Sequence, residues 1–219
     1  VRLFAGFRDR KVSSADFVSW VEADMHQLYE QGVRYFEVHN EPNLQIEGLH
    51  HSWQDGHQFA EWFLEVVERL KSHYPEALFG YPGLSPGHEI PGQRMDSWIF
   101  LQQSEIAALA SDWIGCHCYW ISDTDMMQPT GGLVYEEFRR LYPEKLLFVT
   151  EFSNPYSEVS KRSKGQQYVD YYRRLRNIKG IGAAFSFVLS ASSNFPHEVW
   201  RREDGQISEI VQLVGNRNF

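Results

Sequence analysis

Short apolar runs recur along this chain at intervals too long for hairpins. They are VRLF (1–4), VRYFEVH (33–39), ALFGYP (77–82), WIGCHCYW (113–120), KLLFVTEF (145–152) and IGAAFSFVL (181–189). Their centres, near 3, 36, 79, 116, 148 and 185, lie 33, 43, 37, 32 and 37 residues apart. A strand followed by a helix and its two loops takes that much chain, so the spacing predicts parallel βα units.

The stretches between the runs carry helix signals. In SSADFVSWVEADMHQLYEQG, Ser13 or Ser14 can cap, Phe17, Val21, Met25, Leu28 and Tyr29 form one apolar stripe, and Gly32 ends the helix. HQFAEWFLEVVERLKSHYP repeats the pattern with Phe59, Phe63, Val66, Val67 and Leu70, stopped by Pro75. GQQYVDYYRRLRN supplies another helix before the last strand. A doubly wound sheet would place a Gly-rich phosphate turn after its first strand, and AGFRDR is not one. The remaining architecture is an α/β fold of the (β/α)8 TIM-barrel type. With six strands counted, the expectation is strands three to eight of such a barrel, one catalytic domain over 1–219, with the first two βα units missing from this chain. An upstream segment or another chain would then complete the barrel.

The 219 residues allow a sizeable core, and the formal charge of −8 lacks the basic footprint of a nucleic-acid binder. No apolar run approaches the ~20 residues of a membrane span. Cys116 and Cys118 stand two apart on one predicted strand, where a disulfide would be strained, so they read as reduced thiols.

Two strands end in carboxylates. YFEVHNEPNL (35–44) stops at Asn40-Glu41-Pro42, and LLFVTEFSNP places Glu151 at the end of a later strand, four residues before Pro155. On a barrel the C-terminal strand ends form the catalytic face. Two carboxyls converging there can divide their labour, one as protonated acid and one as ionised nucleophile, as glycosidic cleavage requires.

YFEVHNEPN and FVTEFSN resemble the fourth and seventh strands of clan A retaining glycoside hydrolases, closest in flavour to glycoside hydrolase family 39 and its relatives. CHCYW resembles the sixth strand of the same clan. The resemblance implies a carbohydrate substrate, no cofactor, Glu41 as acid/base, Glu151 as nucleophile, Asn40 on the sugar 2-hydroxyl, and Tyr119 donating its phenol to Glu151. His117 shares the parity of Tyr119, so both can point inward. Glu37 and His39 share the parity of Glu41 and would line the barrel below it, Glu37 needing a buried cation for which Arg2 is the candidate. The clan's Trp at the end of the eighth strand has no counterpart in FSFVLSASSN; Phe187 or Trp200 could substitute, with Trp120 and Trp53 as further stacking candidates. The loop 81–98, with Tyr81 and Trp98, is a candidate for substrate contacts.

Two rival readings stand beside this one. His50, His51, Asp55 and His57 invite a metal, but their spacing is not HExxH and Asp55 reads well as a helix cap, so no metal is expected. The other is a non-catalytic carbohydrate-binding or scaffold domain on a degenerate glycosidase barrel, since fold does not guarantee function.

Overall fold

The computed structural model describes residues 1–190 and 193–215. The chain forms two compact units, 1–115 and 116–219. Six parallel strands follow chain order: β1 (Arg2–Leu3), β2 (Tyr35–Val38), β3 (Leu78–Tyr81) and β4 (Trp113–Tyr119), then β5 (Leu146–Ser153) and β6 (Ile181–Ser186). β4 begins in the first unit and ends in the second. Every expected strand is present, each trimmed by a residue or more at one end or both.

In the first unit the ladder registers Arg2 with Glu37, Phe36 with Phe79 and Gly80 with Trp113. Helix α1 (Ser14–Glu30) starts at Ser13, whose side chain accepts from the Asp16 N–H while Asp16 answers the Ser13 N–H. That reciprocal cap satisfies donors the first turn would leave bare. Its buried stripe is Phe17, Val21 and Met25, and the chain leaves it through Gly32 at φ 93°. Helix α2 (Gly56–His73) is capped by Asp55, which accepts from the Gln58 N–H, and buries Phe59, Phe63, Val66 and Leu70. Short helices α3 (Ser97–Gln103) and α4 (Glu105–Ala110) lead into β4.

The helical side of this unit closes on an aromatic cluster. Phe7, Phe17, Trp53, Phe59 and Trp62 are buried, with ring centroids 5.0–6.0 Å apart in mostly tilted or edge-on pairs. Each such ring buries enough apolar area that its truncation costs about 3–5 kcal/mol.

In the second unit, α5 (Asp123–Met126) and α6 (Val134–Leu141) precede β5, and α7 (Lys161–Leu175) separates β5 from β6. Helix α7 begins four residues before the apolar stripe that marks it in sequence, capped by Ser160 on the Ser163 N–H. α8 (Glu209–Val214) packs on α7. The core here gathers Trp120, Phe152, Tyr168 and Tyr171, with Trp120 stacked on Phe152 at 5.8 Å. Cys116 and Cys118 are buried reduced thiols, in line with the strain a disulfide would carry at that spacing. Among the described residues no helix is long and apolar enough to cross a membrane.

Candidate active site

The end of β2 is built around a reversal of the backbone. Alternation holds through Val38 and then breaks, because His39 and Glu41 take the left-handed region at φ 71° and 37°. Such conformations are strained for residues with a Cβ and persist only where neighbours hold them. The holding group is Gly83, after β3. Its carbonyl accepts from the Glu41 N–H at 3.1 Å, and its own N–H donates to Glu37 Oε1 at 3.0 Å. Glu37 Oε2 takes Arg2 Nε at 2.7 Å, so Arg2 is the cation that the buried Glu37 needs. A chain of contacts thus runs from Arg2 through Glu37 and Gly83 to the backbone of Glu41.

The reversal turns His39 away from the direction strict alternation implies. Its ring packs 4.4 Å from Phe7 and 5.8 Å from Trp53, and its Nε2 lies 2.7 Å from the Glu47 carbonyl. Burial pushes its pKa down to about 4, against an opposing pull from the Glu47 carbonyl. His39 is a neutral core residue rather than a lining one. Asn40 and Glu41 remain half-buried, and Asn40 Oδ1 is a buried atom with no hydrogen-bond partner.

Asn43 fixes the loop beyond. Fully buried, it donates from Nδ2 to the carbonyls of Ser85 and Met95 at 2.9 and 3.1 Å, and its Oδ1 accepts from the Ser85 N–H at 2.9 Å. The segment after β2 is thereby stapled to the loop after β3.

In the second unit, Glu151 sits on β5, 8% exposed. Tyr119, on β4, donates its phenol to Glu151 Oε2 at 2.5 Å, and His117 Nδ1 lies 3.6 Å from the same oxygen. Period-two alternation along β4 puts both on the side of Glu151. A phenol donated to a carboxylate favours its ionised form, and a short charge-assisted bond also fixes its orientation. Phe187 stands edge-on to Tyr119 at 6.4 Å.

The three tryptophan candidates differ in burial. Trp53 has no exposed surface and spends its Nε1–H on the Pro42 carbonyl at 2.8 Å. Trp120 is buried among Phe152, Tyr168 and Tyr171, with Nε1 donating to Gln167 Oε1 at 3.0 Å. Neither offers a face to a sugar. Trp200 is half-buried and stacks on Tyr168 at 6.4 Å. Tyr81 also belongs to the core, its hydroxyl 2.6 Å from Ser104 Oγ, whereas Trp98 keeps partial exposure. Asp55, the carboxylate of the histidine-rich stretch, is committed to capping α2.

No family model and no curated protein matches the chain. Solved structures do resemble it. A glycoside hydrolase family 128 (subgroup II) endo-β-1,3-glucanase from Sorangium cellulosum superposes with TM-score 0.69 at 17% identity, covering 99% of this chain and 79% of that one. A subgroup I endo-β-1,3-glucanase from Amycolatopsis mediterranei, solved with laminaritriose and laminaribiose, gives 0.60 at 14% identity over 89% and 77%. A monomeric β-xylosidase from Caulobacter crescentus CB15 gives 0.62 at 18% identity, over 94% of this chain and 47% of that one. These neighbours are glycoside hydrolases, and their likeness supports that coarser class without singling out family 39. At these identities the likeness is one of fold: the chain has the α/β fold of these glycoside hydrolases.

Proposed function

We propose that this protein is a retaining glycoside hydrolase acting on β-1,3-linked glucan. The observation that carries the reading is Glu151, buried at the end of β5 with the Tyr119 phenol on one oxygen and His117 beside it. The neighbours' fold, and the laminaritriose and laminaribiose held by the Amycolatopsis mediterranei glucanase, support the substrate class.

In the first step the Glu151 carboxylate attacks the anomeric carbon. The glycosidic C–O bond breaks, and the leaving oxygen takes the proton held by Glu41. In the second step Glu41, now a base, removes a proton from water, whose oxygen displaces Glu151 from the anomeric carbon and restores the start. The reading requires the two carboxyls to stand about 5–5.5 Å apart across one sugar. Asn40, with its unpartnered Oδ1, is available to the 2-hydroxyl, whose hydrogen bonds strengthen as oxocarbenium character develops. Tyr119 keeps the nucleophile ionised until the attack.

The test is the anomeric configuration of the first product released from laminaripentaose, followed by proton NMR before mutarotation. Retention supports the reading, and inversion sinks the nucleophile assignment. A Glu151→Gln variant that keeps its binding isotherm while wild type shows no turnover would instead favour a carbohydrate-binding domain.

A further inference from the structure

Glu41 is delivered by a strained backbone. It stands at φ 37°, two residues past His39 at φ 71°, and such conformations persist only where neighbours hold them. The Glu41 carbonyl accepts from the Leu44 N–H at 2.9 Å, which closes the turn on itself. The His39 N–H donates to the Leu3 carbonyl at 2.8 Å, which ties His39 to β1. The Glu41 N–H donates to the Gly83 carbonyl at 3.1 Å, and this bond ties Glu41 itself to the segment after β3. A group that sets Gly83 therefore acts on Glu41.

Gly83 is gripped on both sides from β2 and its end. Its carbonyl takes the Glu41 N–H, and its own N–H donates to Glu37 Oε1 at 3.0 Å in a buried bond. Glu37 is 3% exposed, stands four residues before Glu41, and is registered with Gly80 on β3. Its side chain thus reaches beyond its own ladder partner to the residue that holds Glu41. A buried N–H needs an acceptor, and without Oε1 the Gly83 backbone would turn toward another one. That displacement carries the Gly83 carbonyl with it and draws the Glu41 backbone out of place. The second oxygen, Glu37 Oε2, takes Arg2 Nε at 2.7 Å. Arg2 balances the buried charge, but a backbone N–H is satisfied by a neutral acceptor as well.

We propose that Glu37 is a positioning residue for Glu41. Its Oε1 fixes Gly83, and Gly83 fixes the backbone from which the Glu41 carboxyl reaches the leaving oxygen. The acceptor at Oε1, rather than the ion pair with Arg2, carries the effect on proton transfer. A general acid must stand within hydrogen-bond reach of the atom it protonates, so a small backbone shift at Glu41 falls on that step. The inference rests on Glu41 being the acid/base of the proposed reaction.

The test compares two double variants that both remove the ion pair. In Arg2→Met/Glu37→Gln the amide oxygen still accepts from the Gly83 N–H, and in Arg2→Met/Glu37→Met that acceptor is gone. Each is assayed on laminaripentaose, whose leaving alkoxide needs a proton, and on a dinitrophenyl β-laminaribioside, whose leaving phenolate needs none. Relative to the Gln variant, the Met variant should lose about 10- to 100-fold in kcat/KM on the pentaose, as a misplacement near 1 Å does, and stay within about twofold on the aryl glycoside. A purely structural tie would lower both substrates together, and that result overturns the proposal. So does a Met variant that matches the Gln variant on the pentaose. Glu37→Asp keeps the charge and shortens the reach to Gly83, so it should show the same split in smaller measure; its absence overturns the proposal whether or not the Met variant folds. Glu41→Ala should show the split in full. A split there with none in the Glu37 variants overturns the positioning role alone. No split in Glu41→Ala, or a wild type inactive on both substrates, overturns the acid/base reading and the positioning role with it.

Discussion

Replacing Asn43 by Ala should loosen the loop after β3 more than any other single truncation outside the aromatic cluster. The side chain makes three hydrogen bonds, to Ser85 O, Ser85 N–H and Met95 O, from a fully buried position. Alanine would leave those three backbone groups facing a small void. An unsatisfied buried polar group costs about 1–3 kcal/mol, but the loop relaxes and lets some water in, so the sum is set nearer 2–5 kcal/mol. For a chain of this size that is a fall of roughly 5–15 °C in melting temperature. Asn43→Asp is the more telling variant. It keeps the acceptor for Ser85 N–H but turns a carboxylate toward two carbonyls. Its folded-state pKa should therefore lie above that of an unfolded Asp. Its stability relative to wild type is greatest below the unfolded pKa and is lost as pH rises through the folded one. Urea titrations followed by circular dichroism at pH 4 and 7, with hydrogen exchange resolving residues 84–96, test both variants. An Asn43→Ala protein within about 0.5 kcal/mol of wild type, with undisturbed exchange in that loop, would refute the staple.

Other outcomes follow from contacts of the same kind. Tyr119→Phe should leave the fold intact and reduce kcat by about 10- to 100-fold, since a hydrogen bond to a charged group is worth about 1.5–3 kcal/mol; unchanged kcat would remove Tyr119 from the site. Arg2→Met leaves the buried Glu37 unpaired and should cost about 3–5 kcal/mol in a urea titration, largely recovered in the Arg2→Met/Glu37→Gln double variant. Because burial lowers the pKa of His39 to about 4, the unfolded chain binds its proton first. Stability is therefore full above pH 6.5 and falls by roughly 3 kcal/mol toward pH 4. That part of the slope should disappear in His39→Asn, a residue that tolerates the left-handed backbone.

The βα spacing exposed the fold because each unit must spend a strand, a helix and two loops of chain, and no side-chain detail alters that length. The two strand-end carboxylates were legible for a similar reason: an apolar run stopping at Glu is visible in one dimension. Period-two alternation placed His117 and Tyr119 with Glu151, and applied one residue further it also accounts for Trp120, which shares the parity of Cys118 and packs against Phe152 and Tyr171. At His39 the same rule failed, because the left-handed turn that delivers Glu41 reverses the side-chain direction and no local pattern announces it. Trp53 looked like a loop residue; only the tertiary closure of Phe7, Phe17 and Trp62 shows it as core. Asn43 carried no signal as a structural group, since its partners Ser85 and Met95 lie 42 and 52 residues away in sequence.

The central claim, that Glu151 is the nucleophile of a retaining hydrolase, is tested most directly by trapping. The protein is incubated with a 2-deoxy-2-fluoro laminarioligosaccharide fluoride, and the labelled peptide is sequenced by mass spectrometry. A covalent glycosyl adduct on Glu151, absent from Glu151→Gln and formed with loss of turnover, is the result expected. Turnover that persists without any adduct, or an adduct on a different carboxylate, would contradict it.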